Sequence, residues 1–164
     1  MYMVKQQWWK GAKGEWYVVV QVFLFGLVAF GPAAWPGWSA WDAPWHTITL
    51  VVGLILGGLG GLLALGGVFS LGSNLTAVPH PKEDAQMVEH GAYHWVRHPI
   101  YSGIILGSFG LALLRGGWLS LLYAVILFIF FDIKSRREEQ WLRDKYANYA
   151  AYQQRVAKLV PFLY

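Results

Sequence analysis

Four long apolar stretches, separated by short breaks rich in glycine, proline or charge, organise the chain. They run from Trp16 to Ala34, His46 to Leu71, Ile100 to Leu114 and Trp118 to Ile133. A helix that crosses a bilayer needs about 20 mainly apolar residues. The first two stretches approach or exceed that length, and the last two fall short of it. The Arg115-Gly116-Gly117 break between the short pair predicts a tight helical hairpin, which reaches across by borrowing flanking residues or by thinning the bilayer locally. The pattern therefore predicts an all-α polytopic membrane bundle of about four transmembrane helices, built as one domain over residues 1–164.

Composition strengthens that reading. Hydrophobic residues make up 56% of the chain and charged residues 13%, against roughly 25% charged in soluble domains. Ten tryptophans raise the aromatic share to 17%, as expected where indole rings sit at the headgroup level. With no cysteine, the fold cannot rest on disulfides, a thiolate nucleophile or a cysteine metal site, and the chain cannot itself be prenylated or palmitoylated. The net charge of +4 does not point to nucleic acid, because the basic residues flank the apolar runs.

Those flanking charges predict a topology. With four spans, Lys5, Lys10, Lys13, Lys82, Arg97, Lys134 and the six further Lys and Arg residues up to Lys158 fall on the side of the termini, and Arg115 alone falls on the other. The positive-inside rule then puts both termini in the cytoplasm. Trp8, Trp9 and Trp16 would lie at the inner interface, and Trp35, Trp38, Trp41, Trp45 and Trp118 at the outer one. A signal peptide is the competing reading of the basic N-terminus, with Pro32-Ala33-Ala34 as its cleavage site, but the apolar run is long for one. The Asn74-Leu75-Thr76 glycosylation pattern falls on the expected cytoplasmic side and is read as coincidence.

Within the second span, Gly53, Gly57 and Gly61 recur every four residues and predict one small-residue stripe, with Gly103, Gly107 and Gly110 of the third span as its facing surface. Close helix packing and a groove for a lipid tail are both open readings of this stripe.

Chemistry-bearing residues gather where the apolar runs meet the charged side. Pro79-His80-Pro81 and Gly91 interrupt the polar segment from Leu71 to His98, which reads as a loop followed by short turns. Pro99 suits the first position of the third span, so Arg97 and His98 stand at a helix N-terminus, a corner that favours anions. The hairpin returns the chain to the same face, where Lys134 to Tyr152 reads as a charged helix and Glu138 can meet the Arg97 to Tyr101 corner. A site with both signs of charge suits a zwitterionic amino-acid group. Alternatively, Arg97 is a topology anchor, and Glu138, Glu139 and Arg143 form ordinary surface helix pairs.

The stretch Gly91-Ala92-Tyr93-His94-Trp95-Val96-Arg97-His98-Pro99-Ile100-Tyr101, taken with Lys134 to Leu142, resembles the signature of the isoprenylcysteine carboxyl methyltransferase and phospholipid methyltransferase family. Leu71-Gly72, Asn74, Pro79 and Pro81 look like the lead-in of bacterial members, and Tyr149, Tyr152, Val156 and Pro161 are similar to the closing pattern. The likeness covers about Leu71 to Tyr164. It implies an integral membrane enzyme that uses S-adenosylmethionine, here expected in a prokaryotic inner membrane, with cofactor motifs over 85–101 and 134–142.

By the same resemblance, Met87 and Val88 line the cofactor pocket, Tyr93 packs on the cofactor, and His98, Pro99, Ile100 and Tyr101 bound it from the third span. Glu138 would hold the cofactor's ammonium. Lys134 falls where the eukaryotic carboxyl methyltransferases have an arginine facing the substrate carboxylate, and a lysine cannot give a bidentate fork. Ala147 stands near a position where many members have glycine. Lys134, Arg97 and His94 are the candidate catalytic groups. His94 or His98 would serve as base if the acceptor is a thiol or an amine. Tyr93, Trp95 and Tyr101 could favour a sulfonium through cation–π attraction. The acceptor expected is lipid-like or small and apolar, drawn from among membrane lipids. An isoprenylcysteine carboxylate, a phospholipid amine and a thiol are the alternatives.

Three other readings compete. His90, His94 and His98 are spaced by four and would stack on one helical face as a metal site might, but five histidines cannot build the boxes of a di-iron hydroxylase and Gly91 interrupts the face. No metal site is therefore expected. A lipid-binding assembly subunit explains the glycines but not the paired charged motifs. Sterol reductases, which use a nicotinamide cofactor, look like distant relatives but have more spans.

Overall fold

The computed structural model describes residues 13–37, 41 and 45–161. Lys5, Lys10, Trp8, Trp9 and Trp38 lie outside the described residues, so the topology reading at those positions has no structural counterpart. The described chain is helical, in the order α1 (Glu15–Phe30), α2 (Trp45–Leu71), α3 (Pro99–Arg115), α4 (Trp118–Lys145) and α5 (Tyr149–Arg155), with 3₁₀ turns at Gly72–Asn74 and Gly91–His94. No β-strand occurs among the described residues. The only β-type pairing there is one parallel bridge between Val96 and Ala157.

Local chemistry explains the boundaries. Gly14, at φ 81°, starts α1 in the left-handed region that a glycine adopts without strain. The helix stops at Phe30, four residues short of the expected Ala34. Gly31 is turned into the extended region ahead of Pro32, as the residue before a proline prefers. Freed from the helix, the Ala33 carbonyl accepts from the Leu119 and Ser120 amides at 3.1 and 3.3 Å and so caps the start of α4. Pro99 opens α3, where a missing N–H costs nothing, and Gly116, at φ 63°, closes it. Helix α4 passes the expected end at Ile133 without a break and carries the charged segment on to Lys145. The sequence expectation of one helix from Lys134 to Tyr152 is corrected here, because the chain extends at Tyr146 before α5 begins.

Helix directions alternate. The Gly14 turn packs against Pro79, which places the start of α1 beside the loop that follows α2. At the opposite end Arg115 donates through Nη1 to the Val28 carbonyl at 2.9 Å and through Nη2 to that of Gly31, closing the C-terminal end of α1. Arg115 is therefore a helix cap. Helix α4 and the stretch Trp45–Asn74 are long and apolar enough to cross a membrane, whereas α1 and α3 are shorter apolar helices. Leu54, Leu59, Leu62 and Phe69 of α2 are exposed, an apolar surface that needs a cover other than water.

Helices α2 and α3 meet through glycine, but not along the stripe expected from the sequence. The buried glycines of α2 are Gly53, Gly60 and Gly67, seven residues apart, not Gly53, Gly57 and Gly61. A Cβ on Gly60 would lie 2.6 Å from the Gly103 carbonyl oxygen, and one on Gly110 would lie 2.7 Å from that of Gly53. Gly57, Gly61 and Gly107 would have nothing within 4 Å of an added Cβ. Two helices packed side by side touch at intervals of two turns, which selects a seven-residue repeat over a four-residue one. On the other side of α3, Leu24 and Val28 of α1, Ile105 of α3, Leu127 and Phe131 of α4, and Leu159 of the tail form the core.

Candidate active site

The site lies at the charged end, where the 3₁₀ turn Gly91–His94, the start of α3, the charged half of α4 and the tail converge. Arg97 is the hub. Its Nε donates to Glu139 Oε1 at 2.7 Å and its Nη1 to the carbonyls of Gln153, at 3.0 Å, and Val156. Its backbone N–H, with that of His98, pairs with the Ala157 and Lys158 carbonyls at 2.8 and 3.2 Å. The tail is thus clasped alongside residues 96–98, which fixes where α3 begins. Glu139, nearly buried, also binds His98 Nε2 at 3.2 Å and accepts from Gln153 Nε2 at 2.9 Å. Its charge is spent inside this clasp.

Glu138 points elsewhere. Its Oε2 accepts from the Tyr101 hydroxyl at 2.7 Å, and the Tyr101 ring lies parallel to that of His98 with centroids 5.4 Å apart. Adjacent residues of a helix diverge by about 100°. Hence Glu139 faces the clasp while Glu138 faces a cavity of about 340 Å³. Met87, Val88, Tyr93, Arg97, His98, Ile100, Tyr101, Lys134 and Glu138 all line that cavity, so most of the residues singled out from the sequence meet in one place. Burial, the Glu138 carboxylate and Tyr152 push the Tyr93 hydroxyl up from its ordinary pKa, and it stays protonated.

Three singled-out residues do not line the cavity: Trp95, expected to face a sulfonium, is exposed, and His94 and Pro99 also lie outside the lining. His94 is exposed, its ring edge-on to Trp95 at 5.7 Å, because a 3₁₀ turn of three residues per turn sends Tyr93 inward and its successor outward. Pro99 is buried beneath the cavity wall, close to Gly67. His90, His94 and His98 share no helical face, since His90 is extended and His98 caps α3. Among the described residues no group of three or more His, Cys, Asp or Glu side chains could hold a metal ion.

At its far end the cavity reaches into the bundle, where Lys134 and Ile104 meet Gln21 of α1. Lys134 is 1% exposed, and its ammonium donates to Gln21 Oε1 at 2.6 Å and lies 5.0 Å from the centroid of the Tyr101 ring. At the near end, Asn74 donates to the Gln86 carbonyl at 3.0 Å and Tyr146 to that of Ala85 at 2.7 Å, pinning the 75–90 loop over the opening. The Tyr152 hydroxyl donates to the Tyr93 carbonyl at 2.5 Å.

Residues 48–149 match the model of the phospholipid methyltransferase family. The chain belongs to this family. Among its relatives, the probable protein-S-isoprenylcysteine O-methyltransferase of Oryza sativa subsp. indica is 29% identical over 116 residues, 68% of this chain and 61% of that protein. Protein-S-isoprenylcysteine O-methyltransferase B of Arabidopsis thaliana is 33% identical over 84 residues, 50% of this chain and 43% of that one. The cobalt-zinc-cadmium resistance protein CzcN of Cupriavidus metallidurans is 28% identical over 151 residues, covering 92% and 63%. The fold resembles that of the eukaryotic intramembrane Ras methyltransferase, an isoprenylcysteine carboxyl methyltransferase, with a TM-score of 0.64 at 24% identity over 98% of this chain and 55% of that one. The chain spans less than two thirds of the length of each of these proteins.

Sequence reasoning missed several members of this family site. Gln21 gave no signal beyond being an amide within an apolar run. The sequence marks Glu139 only as half of an acidic pair on a helix surface. Tyr146, which lines the cavity, has no signal in the sequence beyond its nearness to Tyr149 and Tyr152.

Proposed function

We propose that this chain is an integral membrane methyltransferase that takes its methyl group from S-adenosylmethionine and passes it to a lipid-like or small apolar acceptor. The observation that carries this reading is one cavity with two kinds of lining. Glu138, Tyr93 and Tyr101 give it a polar and aromatic wall, and beside Tyr101 the Lys134 ammonium, with Gln21 and Ile104, extends it into the bundle. Family membership and the likeness to a methyltransferase fold support it.

The donor set fits such a cofactor. A carboxylate with one oxygen unengaged by hydrogen bonds among the described residues suits an ammonium, aromatic faces suit a sulfonium, and Met87 and Val88 add apolar wall. When bound, S-adenosylmethionine offers a methyl carbon on sulfur. That carbon would pass to the acceptor atom, its bond to sulfur breaking as the new bond forms. The chain's part is to hold, align and dry. Glu138 fixes the amino-acid end, the loop pinned by Tyr146 and the tail clasped by Arg97 keep water out, and Lys134 steadies the acceptor. Arg97 acts through Glu139 and His98 as a positioning residue. A carboxylate acceptor needs no base, whereas an amine or thiol would give its proton to His98. His94 is exposed and does not line the cavity, so it is not placed for that task.

The Lys134 ammonium donates to a neutral amide and lies against aromatic rings, with the Glu138 carboxylate acting on it from one helical turn away, and it favours an acceptor with an acidic group, of which an isoprenylcysteine carboxylate is one. For topology, the alternating helix directions and the basic residues at the site end favour four crossings with both termini cytoplasmic. Reporter fusions that work only in the cytoplasm test that directly. The function is tested by calorimetric titration with S-adenosylhomocysteine, with NADPH as control, followed by methyl transfer to prenylcysteine, phosphatidylethanolamine and small thiols. Binding of NADPH in place of S-adenosylhomocysteine would overturn the proposal.

A further inference from the structure

Tyrosines ring the cavity, and the described structure accounts for the hydroxyls of three of them. Tyr101 donates to Glu138, Tyr146 to the Ala85 carbonyl and Tyr152 to the Tyr93 carbonyl. Tyr149 differs. It is the first residue of α5, is 3% exposed and lines the same cavity, yet its buried hydroxyl has no hydrogen-bond partner among the described residues. Buried polar groups are almost always paired, because an unpaired one loses its water and gains nothing in return. An unsatisfied buried hydroxyl on a residue that lines a cavity is a group whose partner can arrive with the ligand.

The surroundings say what kind of partner. Burial raises the Tyr149 pKa most, and the Glu139 and Glu138 carboxylates raise it further while Arg97 partly offsets them. The phenol therefore stays neutral, with two carboxylates acting on it against one guanidinium. Glu139 is matched by Arg97 and His98, whereas Glu138 lines the cavity with its Oε1 outside any hydrogen bond among the described residues. Such a corner repels a carboxylate and attracts a cation that can donate hydrogen bonds. Tyr152, its ring 5.8 Å from that of Tyr149, is tied to the Tyr93 carbonyl and so helps to hold the phenol in place.

We propose that Tyr149 is a ligand-binding residue whose hydroxyl accepts a hydrogen bond from a protonated amine, sharing that ammonium with Glu138. This rests on the methyl-donor reading above, in which the amine is the α-ammonium of the donor's amino-acid end. An ammonium has three N–H groups, and a carboxylate oxygen beside a neutral phenol oxygen satisfies two of them.

The test is calorimetric titration of the full chain and of Tyr149→Phe, each with S-adenosylhomocysteine and with its deaminated analogue. We expect Tyr149→Phe to bind S-adenosylhomocysteine about tenfold more weakly, as for the loss of one hydrogen bond to a charged group, and to bind the deaminated analogue as the parent does. The ligand-free unfolding midpoint should not fall, because the hydroxyl removed had no partner. Unchanged affinity for S-adenosylhomocysteine overturns the proposal, and so does an equal loss for both ligands, which would put the contact elsewhere on the molecule. A lower ligand-free midpoint with unchanged selectivity would make the hydroxyl structural. Failure of the parent protein to bind S-adenosylhomocysteine would instead remove the proposed function, and this proposal with it.

Discussion

The Lys134 ammonium on α4 donates to Gln21 Oε1 on α1 at 2.6 Å, a charge held by a neutral amide across the helix interface at the inner end of the cavity. A carboxylate in place of Gln21 would neutralise the lysine and close it to an incoming anion. The amide holds the ammonium in place without neutralising it.

Replacing Gln21 by leucine removes that acceptor while keeping side-chain bulk. The ligand-free protein should lose about 1 to 3 kcal/mol of stability, the cost of leaving a buried donor unsatisfied. The Michaelis constant for an acidic acceptor should rise while affinity for S-adenosylhomocysteine stays near that of the parent. Thermal unfolding and acceptor titration read the two effects separately. A change confined to cofactor affinity would contradict the assignment of this end to the acceptor.

Neighbouring carboxylates should respond in opposite ways. Glu138→Gln is expected to lower cofactor affinity about tenfold or more with little change in unfolding midpoint, because the Tyr101 hydroxyl can still donate to the amide oxygen and the His98 ring, 3.9 Å from the same carboxylate, stays held by Glu139. Glu139→Gln leaves the nearly buried Arg97 without its counter-charge and should cost about 3 kcal/mol of stability. Paired melting curves and calorimetry on the two variants would expose a reversed pattern at once.

The glycines give a test of packing. Gly60→Ala places a methyl group 2.6 Å from the Gly103 oxygen and 2.7 Å from the Gly107 nitrogen, so α2 and α3 must separate, at a cost of about 2 kcal/mol or more. Gly57→Ala meets nothing within 4 Å and should be neutral, or stabilising by up to about 1 kcal/mol through helix propensity. Unfolding in detergent compares the two. Equal effects would mean that the seven-residue register is wrong.

Arg115→Ala should loosen the far end, since the Val28 and Gly31 carbonyls lose their donor. A loss of about 1 kcal/mol is expected, with cofactor affinity unchanged because the site lies at the opposite end of the bundle. Amide exchange at the C-terminal turn of α1 would show the faster opening locally.

Much of this was written into the sequence. Runs of apolar residues long enough for helices, broken by Gly31-Pro32, by Pro99 and by Arg115-Gly116-Gly117, determine which segments are helical, because glycine and proline act on the backbone locally and need no partner. The motif around Tyr93 to Tyr101 and the glutamates of α4 likewise marked the site, since a hairpin of two similar helices must bring their outer ends together. Only the tertiary structure decided how the roles divide. Glu138 and Glu139 are identical as residues, and what separates them is the rotation of α4 against α3, which turns one to the cavity and the other to Arg97. The 3₁₀ turn sent Tyr93 in and His94 out, a distinction that spacing alone does not carry. Gln21 lies 113 residues from Lys134 in the chain, and the spent charge of Arg97 depends on a tail that returns from 56 or more residues away. Such pairings are set by the packing of whole helices, a global balance of burial and close approach that no local pattern encodes.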